Sequence, residues 1–158
     1  IVRSAPIQQL DASLSKIQQK FNNPNMSILS HEHSIELLNK YGGIKKCITY
    51  PFQESFDISR KAKFEAGERF DHAVVMVGNL SGCGFHNVLF FALSLPVRKI
   101  WICNLIGELT PISRAGIILK SFRNQLFKFA AFLSTAIFSL LAFPLLLIFL
   151  NRKSSSSV

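Results

Sequence analysis

The sequence predicts an α/β domain with an open, parallel sheet of five strands, followed by one transmembrane helix near the C-terminal end. Two observations support this prediction. Short apolar runs alternate with segments of helical periodicity, which implies parallel strands joined by right-handed helical crossovers. Further along the chain, a stretch of 22 residues contains no charge. The expected strand order is 3-2-1-4-5 with helices on both faces, which describes a Rossmann-like sheet.

The 158-residue chain divides into four parts by composition. They are a Rossmann-like domain (residues 1–110), a basic amphipathic juxtamembrane helix (111–128), a transmembrane helix (129–150) and a short polar tail (151–158). The first part has the usual size of one domain and is long enough to build one layered core.

The first fifty residues contain three of the predicted strands and two of the predicted helices. In order they are strand 1–3, helix 6–21, strand 26–29, helix 31–40 and strand 46–50. In the first helix, apolar residues recur at intervals of three and four, which is typical of a helix with one buried face. Gly42 and Gly43 follow the second helix, where glycine commonly ends helices.

The second half of the domain contains the remaining elements. In order they are a charged helix 57–69, strand 73–77, helix 87–95, strand 99–103 and the basic helix 111–128. Residues 73–77 read Ala-Val-Val-Met-Val, which is the clearest buried strand because it is wholly apolar and Gly78 follows it directly.

Residues 129–150 are predicted to cross a membrane. A helix of this length spans about 33 Å, close to the hydrocarbon thickness of a bilayer. Ser134, Thr135 and Ser139 can bond back to the helix backbone, and Pro144 is tolerated in membrane helices. Four basic residues precede this segment and two follow it, which favours a single-pass protein whose domain faces the cytoplasm.

The net charge of +9 is concentrated towards the predicted membrane segment. Residues 98–153 contain eight basic residues and one acid, whereas residues 1–97 contain ten basic and eight acidic residues. This distribution predicts attraction to anionic membrane lipid. No basic patch with interleaved aromatic residues occurs in the balanced region, so we do not expect nucleic acid as a partner.

The most suggestive loop is residues 78–85, which contains three glycines between a buried strand and a helix. Glycine permits close approach of the backbone to a ligand, and the helix start offers free N–H groups to a phosphate or a sugar hydroxyl. The spacing matches neither the dinucleotide nor the Walker fingerprint, so a simple tight turn is the alternative. The candidate ligand-binding residues in this loop are Gly78, Asn79, Ser81, Gly82 and Gly84.

Three further candidates lie in loops at the same expected edge of the sheet. Ser4 follows the first strand, at the point where the strand order reverses and ligands of such sheets bind. Asn104 and Glu108 follow the fifth strand and could line the rim of the same cleft, although a solvated loop is the alternative. Because residues 104–108 lead directly towards the membrane segment, we expect this cleft to lie close to the lipid surface.

No metal site or cofactor is predicted. His31 and His33 could bind a metal, but a third ligand is not evident in the sequence, and Glu32 between them also suits a helix start. Cys83 and His86 are likewise left without a complete site. Cys47 and Cys103 lie in apolar strands and are expected to be core thiols in a reducing compartment.

Short sequence words over residues 1–105 resemble the N-terminal half of heptosyltransferase-like enzymes, which belong to glycosyltransferase family nine and have the GT-B fold. The matching words are Arg3-Ser4, Lys20-Phe21-Asn22-Asn23-Pro24, Gly42-Gly43-Ile44-Lys45-Lys46, Ile48-Thr49-Tyr50-Pro51 and Phe70-Asp71-His72-Ala73-Val74-Val75. The resemblance implies a role in cell-envelope or surface-polysaccharide biosynthesis, with a sugar or a lipid-linked glycan bound at the cleft.

Two departures from that family bear on catalysis. The family has an aspartate in its first loop, implicated as the base that activates the acceptor, whereas residues 4–9 here contain no acid and Asp11 does not align with it. The family also binds its donor mainly in a second domain, whereas this chain continues into an apolar helix. We therefore expect either a protein that needs a partner glycosyltransferase for catalysis, or a non-catalytic membrane-anchored scaffold.

Overall fold

A computed structural model describes residues 1–60, 62 and 64–155 and contains a six-stranded sheet with the order β3-β2-β1-β4-β5-β6. The strands are β1 (Val2–Arg3), β2 (Met26–His31), β3 (Ile44–Tyr50), β4 (Phe70–Met76), β5 (Val97–Cys103) and β6 (Leu109–Ile112). The first five are parallel, whereas β6 runs antiparallel to β5. The α/β class is confirmed. The predicted number of five strands is wrong, because the sheet has a sixth strand, β6, at its edge.

Four α-helices accompany the sheet in the described part of the chain, and the chain divides into two compact units, Ile1–Leu119 and Lys120–Val158. The helices are α1 (Ile7–Lys20), α2 (Ile35–Leu38), α3 (His86–Leu93) and α4 (Arg114–Ser155). A short 3-10 turn, Glu32–Ser34, precedes α2. The predicted helix 31–40 is therefore shorter than expected, because β2 continues to His31, which pairs with Tyr50.

Apolar side chains cover both faces of the sheet, as the alternation along β4 requires. Val75 lies in one buried cluster, and its neighbours Val74 and Met76 lie in the other. Leu10 and Ile17 of α1 pack on the Met76 face. The opposite face is covered by α3 and the first turn of α4, through Leu89, Phe91, Ala92 and Ile117. Each large side chain buried in this way contributes about 1.5–3 kcal/mol.

The predicted charged helix 57–69 is absent from the described residues of that segment; residues 61 and 63 lie outside them. The chain instead makes separate turns. Asp57 accepts hydrogen bonds from the backbone N–H and the hydroxyl of Ser59, at 2.8 and 2.7 Å. Within the segment, Ala62 is 8% exposed but Ile58 is 48% exposed, so these apolar residues do not form the single inward face that the helix required.

Strand β6 replaces the first residues of the predicted helix 111–128. Pro111 lies in this strand opposite Trp101, and α4 begins only at Arg114. Proline is compatible with this position because β6 is an edge strand and needs no ladder bond on its outer side. The prediction of a helix from residue 111 is therefore wrong at its start.

Strand β6 also determines where α4 begins. It carries the chain from Cys103, at the carboxyl end of β5, back towards the amino end of that strand. There, the Arg114 guanidinium donates to the carbonyls of Leu93 and Val97, at 3.1 and 3.3 Å. Helix α4 thus starts at the amino edge of the sheet, opposite to the edge that the sequence analysis expected beside the lipid.

Helix α4 contains one candidate membrane span, Arg114–Pro144, with a mean hydropathy of 1.9 over its most apolar window. None of that window is buried inside the protein. Ser134 and Thr135 donate to the carbonyls of Ala130 and Ala131, both at 2.9 Å, so the bonds predicted for these two of the three residues are present. By length and composition, this helix can cross a bilayer.

Candidate ligand-binding site

A pocket of about 330 Å³ lies at the carboxyl edge of the sheet, where the end of β2 meets the loops after β1, β3 and β4 and the start of α3. The order β2-β1-β4 places it at the point where the chain reverses direction across the sheet, and ligands of open α/β sheets bind there. The lining residues are Arg3, Ser4, Ala5, His31, Ser55, Phe56, Gly84, Phe85, Asn87 and Val88.

Arg3, the last residue of β1, is the cation of this pocket. Its Nε donates to Ser30 Oγ at 3.0 Å, its Nη1 donates to the Ala5 carbonyl at 3.1 Å, and its Nη2 donates to Ser34 Oγ. These contacts hold the guanidinium in one orientation. Partial burial lowers the pKa of Arg3 from its ordinary value by desolvation, but an arginine remains charged at any physiological pH.

No carboxylate in the described part of the chain forms an ion pair with Arg3. Among the described residues, ion pairs form around Lys46, Arg60 and Arg98, and Arg3 belongs to none of them. A guanidinium has five N–H donors, and only three of those of Arg3 are used by the hydroxyls and the carbonyl around it. A half-buried cation with spare donors is suited to an anionic ligand, above all a carboxylate or a phosphate.

One side of the pocket is aromatic. The ring of His31 packs against Tyr50 and Phe56, with ring centroids 5.4 and 4.8 Å apart. His31 Nε2 lies 3.0 Å from the Glu54 carbonyl. Because a carbonyl only accepts, Nε2 carries the proton of this contact, which fixes the ring orientation. The pocket therefore combines an apolar surface with a few polar groups, as small-molecule sites usually do.

The start of α3 forms another part of the wall. The helix begins at His86, and no side chain caps its first turn. Gly84 precedes it with a φ of +87°, which favours glycine because other residues rarely adopt a left-handed backbone. Such a helix start presents backbone N–H groups and a partial positive charge, which also favours an anion.

The glycine loop after β4 is organised mainly by Asn79. Its side-chain amide donates to the Cys83 carbonyl at 2.7 Å, and its Oδ1 accepts from the backbone N–H of Gly82 at 2.6 Å. Ser81 Oγ accepts from the Cys83 N–H at 3.3 Å. These contacts shape the loop that leads to Gly84, so the polar side chains predicted here act on the loop rather than line the pocket.

Asn104 and Glu108 close the tight turn between β5 and β6. The Asn104 side chain donates to Glu108 Oε2 at 3.1 Å and accepts from the Glu108 N–H at 2.9 Å. Gln9 donates to the carbonyls of Asn104 and Val77, at 3.0 and 2.9 Å, which ties α1 to the carboxyl ends of β4 and β5. This cluster stabilises the edge beside the pocket, and neither Asn104 nor Glu108 lines it.

Of the residues predicted from the sequence, Ser4 and Gly84 line the pocket. Ser4 also donates its hydroxyl proton to the Met76 carbonyl, which joins the loop after β1 to β4. The sequence analysis missed Arg3, His31 and Phe56 as pocket residues. The position of Arg3 next to Ser4, at the end of the first strand, was the signal that could have found it.

The remaining residues considered in the sequence analysis do not form a metal site or supply a base to the pocket within the described residues. The rings of His31 and His33 stack with centroids 5.8 Å apart. Within residues 1–60, 62 and 64–155, no three histidine, cysteine, aspartate or glutamate side chains come close enough to hold a metal ion. Asp11 lies exposed on α1, where a hydrogen bond to it raises the pKa of the Tyr41 hydroxyl.

Comparison with known proteins adds no relative: no protein family, no curated protein and no solved structure matches this chain. The resemblance to heptosyltransferase-like enzymes therefore depends on the sequence words alone. The pocket and the apolar helix are the features of this chain that bear on its function.

Proposed function

We propose that this protein is a membrane-anchored, glycosyltransferase-like protein of cell-envelope or surface-polysaccharide biosynthesis. Its domain binds an anionic sugar, such as the phosphorylated end of a lipid-linked glycan, in the pocket at the carboxyl edge. A partner glycosyltransferase supplies the donor site. The observation that supports the ligand class best is the half-buried guanidinium of Arg3, which has spare donors and no carboxylate within ion-pair distance among the described residues.

The rest of the pocket suits the sugar part of such a ligand. Phe56 and the ring of His31 offer an apolar surface to the C–H faces of a sugar. Ser55 and Asn87 offer hydroxyl and amide groups for its hydroxyls. A volume of about 330 Å³ is near the lower end for small-molecule pockets, which fits one sugar with its anionic group rather than a full nucleotide sugar.

Anchoring is supported by the candidate span in α4, which is apolar over a bilayer's thickness. The cytoplasmic orientation is supported by the excess of basic residues before the span over those after it. Both belong to the same proposal, because a membrane-bound domain would meet lipid-linked substrates at high local concentration.

Dependence on a partner is supported by the chemistry that the pocket lacks. Among its lining residues there is no aspartate or glutamate, so it offers no carboxylate base for activating an acceptor hydroxyl. The same observation also favours the alternative, a non-catalytic membrane-anchored scaffold. Ligand binding separates the two, since the scaffold requires no small-molecule affinity.

Isothermal titration of the full chain in detergent micelles tests the proposal, with glucose 1-phosphate, glucose and inorganic phosphate as probes. We expect glucose 1-phosphate to bind most tightly, and Arg3→Gln to weaken it by about tenfold or more, because a charge-assisted hydrogen bond contributes about 1.5–3 kcal/mol. Arg3→Lys should be intermediate, since it keeps the charge and loses the planar fork.

The matched control is Arg98→Gln, which removes an exposed cation at the opposite edge of the sheet. Its affinity for glucose 1-phosphate should equal that of the unchanged chain. Thermal unfolding of each variant identifies any loss of binding caused by misfolding. Equal binding by the two glutamine variants, or no binding of any probe by the unchanged chain, would reject an anionic-sugar site and leave the scaffold hypothesis.

A further inference from the structure

The amino edge of the sheet is strongly basic on the side of β4 and β5. Five cations, which we call the basic amino-edge surface, lie at or next to the amino ends of these strands or at the starts and ends of the adjoining helices: Lys20, Arg69, Arg98, Lys99 and Arg114. We propose that this surface docks on the anionic lipid headgroups of the membrane that holds α4. The inference rests on the anchoring part of the proposed function and adds an orientation to it.

The acids near this surface leave most of its charge available. Asp71 lies 3.7 Å from Arg98, a loose and exposed ion pair. Glu65 and Glu68 precede β4, but both bind Lys46, at 2.7 and 3.1 Å. The side chain of Arg98 is 84% exposed, so it can reach an outside anion with little rearrangement.

Two hollows lie between these cations. One, of about 550 Å³, is lined in part by Arg69, Arg98 and Arg114. The other, of about 400 Å³, is lined in part by Arg98 and Lys99. Both are larger than the pocket at the carboxyl edge. Asp71 lines both, but the cations outnumber it in each hollow, and guanidinium and ammonium groups bind phosphate oxygens well. Such hollows fit phosphate headgroups that approach from a surface.

An aromatic group borders the same edge. Lys20 Nζ lies 5.5 Å from the centre of the Trp101 ring, and Phe21 meets that ring edge-on at 5.4 Å. Tryptophan beside basic residues is typical of protein surfaces at the level of lipid headgroups. The combination distinguishes lipid from a purely polyanionic partner, because Trp101 and Phe21 add apolar area to the charge.

The position of Arg114 links the surface to the span. Arg114 begins α4 and is held on the amino edge by its hydrogen bonds to Leu93 and Val97. The chain therefore enters its candidate membrane helix at the basic edge. Strand β4 has seven residues, so about 20 Å along the sheet separates the pocket at its other end from this surface.

The test uses the full chain in nanodiscs, with Trp101 as the reporter because it is the chain's one tryptophan. Energy transfer from Trp101 to a dansyl-labelled lipid headgroup is compared in phosphatidylcholine and in phosphatidylcholine mixed with phosphatidylglycerol. We expect greater transfer in the anionic discs and a return to the neutral level at high salt. Each cation near an anionic surface favours docking by about fivefold, so R98Q/K99Q should weaken docking about 25-fold.

The matched control is K16Q/R60Q, which removes the same charge near the carboxyl edge, where Lys16 contacts Ile106 and Arg60 contacts Glu54. This variant should keep the lipid-dependent transfer. Equal transfer in both lipids, or an equal loss in the two double variants, would overturn the proposal.

Carbonate extraction keeps the two proposals separable. If the chain stays in the membrane after carbonate extraction but energy transfer from Trp101 is equal in neutral and anionic discs, the docking proposal is rejected and the membrane anchor is supported. If carbonate releases the chain but energy transfer from Trp101 is still greater in anionic discs, the membrane anchor is rejected and the docking proposal is supported. Free inorganic phosphate added to neutral discs should leave the transfer unchanged, and an increase would instead assign the surface to soluble phosphate.

Discussion

The two edges of the sheet differ in chemistry although the same parallel strands form both. The carboxyl edge holds one half-buried cation, Arg3, among hydroxyls, aromatic rings and a helix start. The amino edge holds exposed cations around wide hollows, with few acids. A buried, oriented cation favours recognition of one ligand, whereas dispersed exposed cations favour a surface. The comparison suggests that ligand binding and membrane contact are separated onto opposite edges.

The largest change in the free energy of unfolding is expected from substitution of Phe56, a buried aromatic residue at the carboxyl edge. Phe56 is 1% exposed and packs against Tyr50 and Phe91, with centroids 4.6 and 5.1 Å apart. Phe56→Ala should lower the free energy of unfolding by about 3–5 kcal/mol, because it removes apolar contacts and leaves a cavity. Urea denaturation followed by circular dichroism measures this change.

Arg98→Gln is the comparison from the amino edge. Because that side chain is exposed, its free energy of unfolding should stay within about 0.5 kcal/mol of the unchanged protein. A similar destabilisation by both substitutions would contradict the contrast between a packed edge and a solvated edge.

A smaller effect is expected from the turn beside the pocket. Asn104 is 7% exposed, and its side chain makes two hydrogen bonds to Glu108. Asn104→Ala should cost about 1–3 kcal/mol of unfolding free energy, because the Glu108 N–H loses its partner. Glu108→Gln keeps an acceptor for Asn104 and should cost less. Equal losses in the two variants, measured by urea denaturation, would assign the effect to Glu108 itself.

The smallest effect concerns thiol reactivity and leaves stability unchanged. Burial raises the pKa of the Cys103 thiol and that of the Cys47 thiol above the ordinary value. A raised thiol pKa means less thiolate at a given pH, so both should react slowly with a thiol reagent near pH 7. Cys83 is exposed in the glycine loop and should react first.

Mass spectrometry after timed labelling assigns each modified cysteine. Raising the pH should accelerate labelling of the half-buried Cys47, whereas Cys103 should label only when the domain unfolds. Bound glucose 1-phosphate should slow labelling of Cys83, because the next residue, Gly84, lines the pocket. Rapid labelling of Cys103 in the folded protein would contradict its burial.

Local pattern was enough to locate most of the elements. The wholly apolar run of 73–77 falls within or directly after β4, and the predicted helix 6–21 matches α1 to within one residue at each end. Each of these segments has a clear pattern of apolar residues and clear end signals, so packing against other elements does not change its secondary structure. The apolar segment after residue 128 was equally clear, because length and absence of charge suffice to recognise a candidate span.

Local pattern failed where distant contacts decide the conformation. The segment Leu109–Ile112 contains a proline and has no strand signal of its own, and it becomes β6 because β5 offers a free edge. The segment 57–69 has helical spacing, but its described residues form turns, in which Glu65 and Glu68 both bind the distant Lys46 of β3. Tertiary packing outweighs helix propensity in such short segments because propensity amounts to a few tenths of a kcal/mol per residue.

The same distinction applies to the candidate site. The order of strands predicted the edge at which this pocket lies and two of the residues that line it, Ser4 and Gly84, because right-handed crossovers leave few topologies. Arg3 and His31 were not predicted to line one pocket, because they are 28 positions apart in the chain and come to the same edge only when β1 and β2 pair.

By itself the sequence determined the α/β class, the order of the first five strands and the apolar helix, since each follows from composition and period. Only the tertiary structure decided that β6 returns the chain to the amino edge, so that the pocket and the start of α4 lie at opposite ends of the strands. The physical reason is that an edge strand is selected by backbone hydrogen bonds to its neighbour, which no local pattern of side chains encodes.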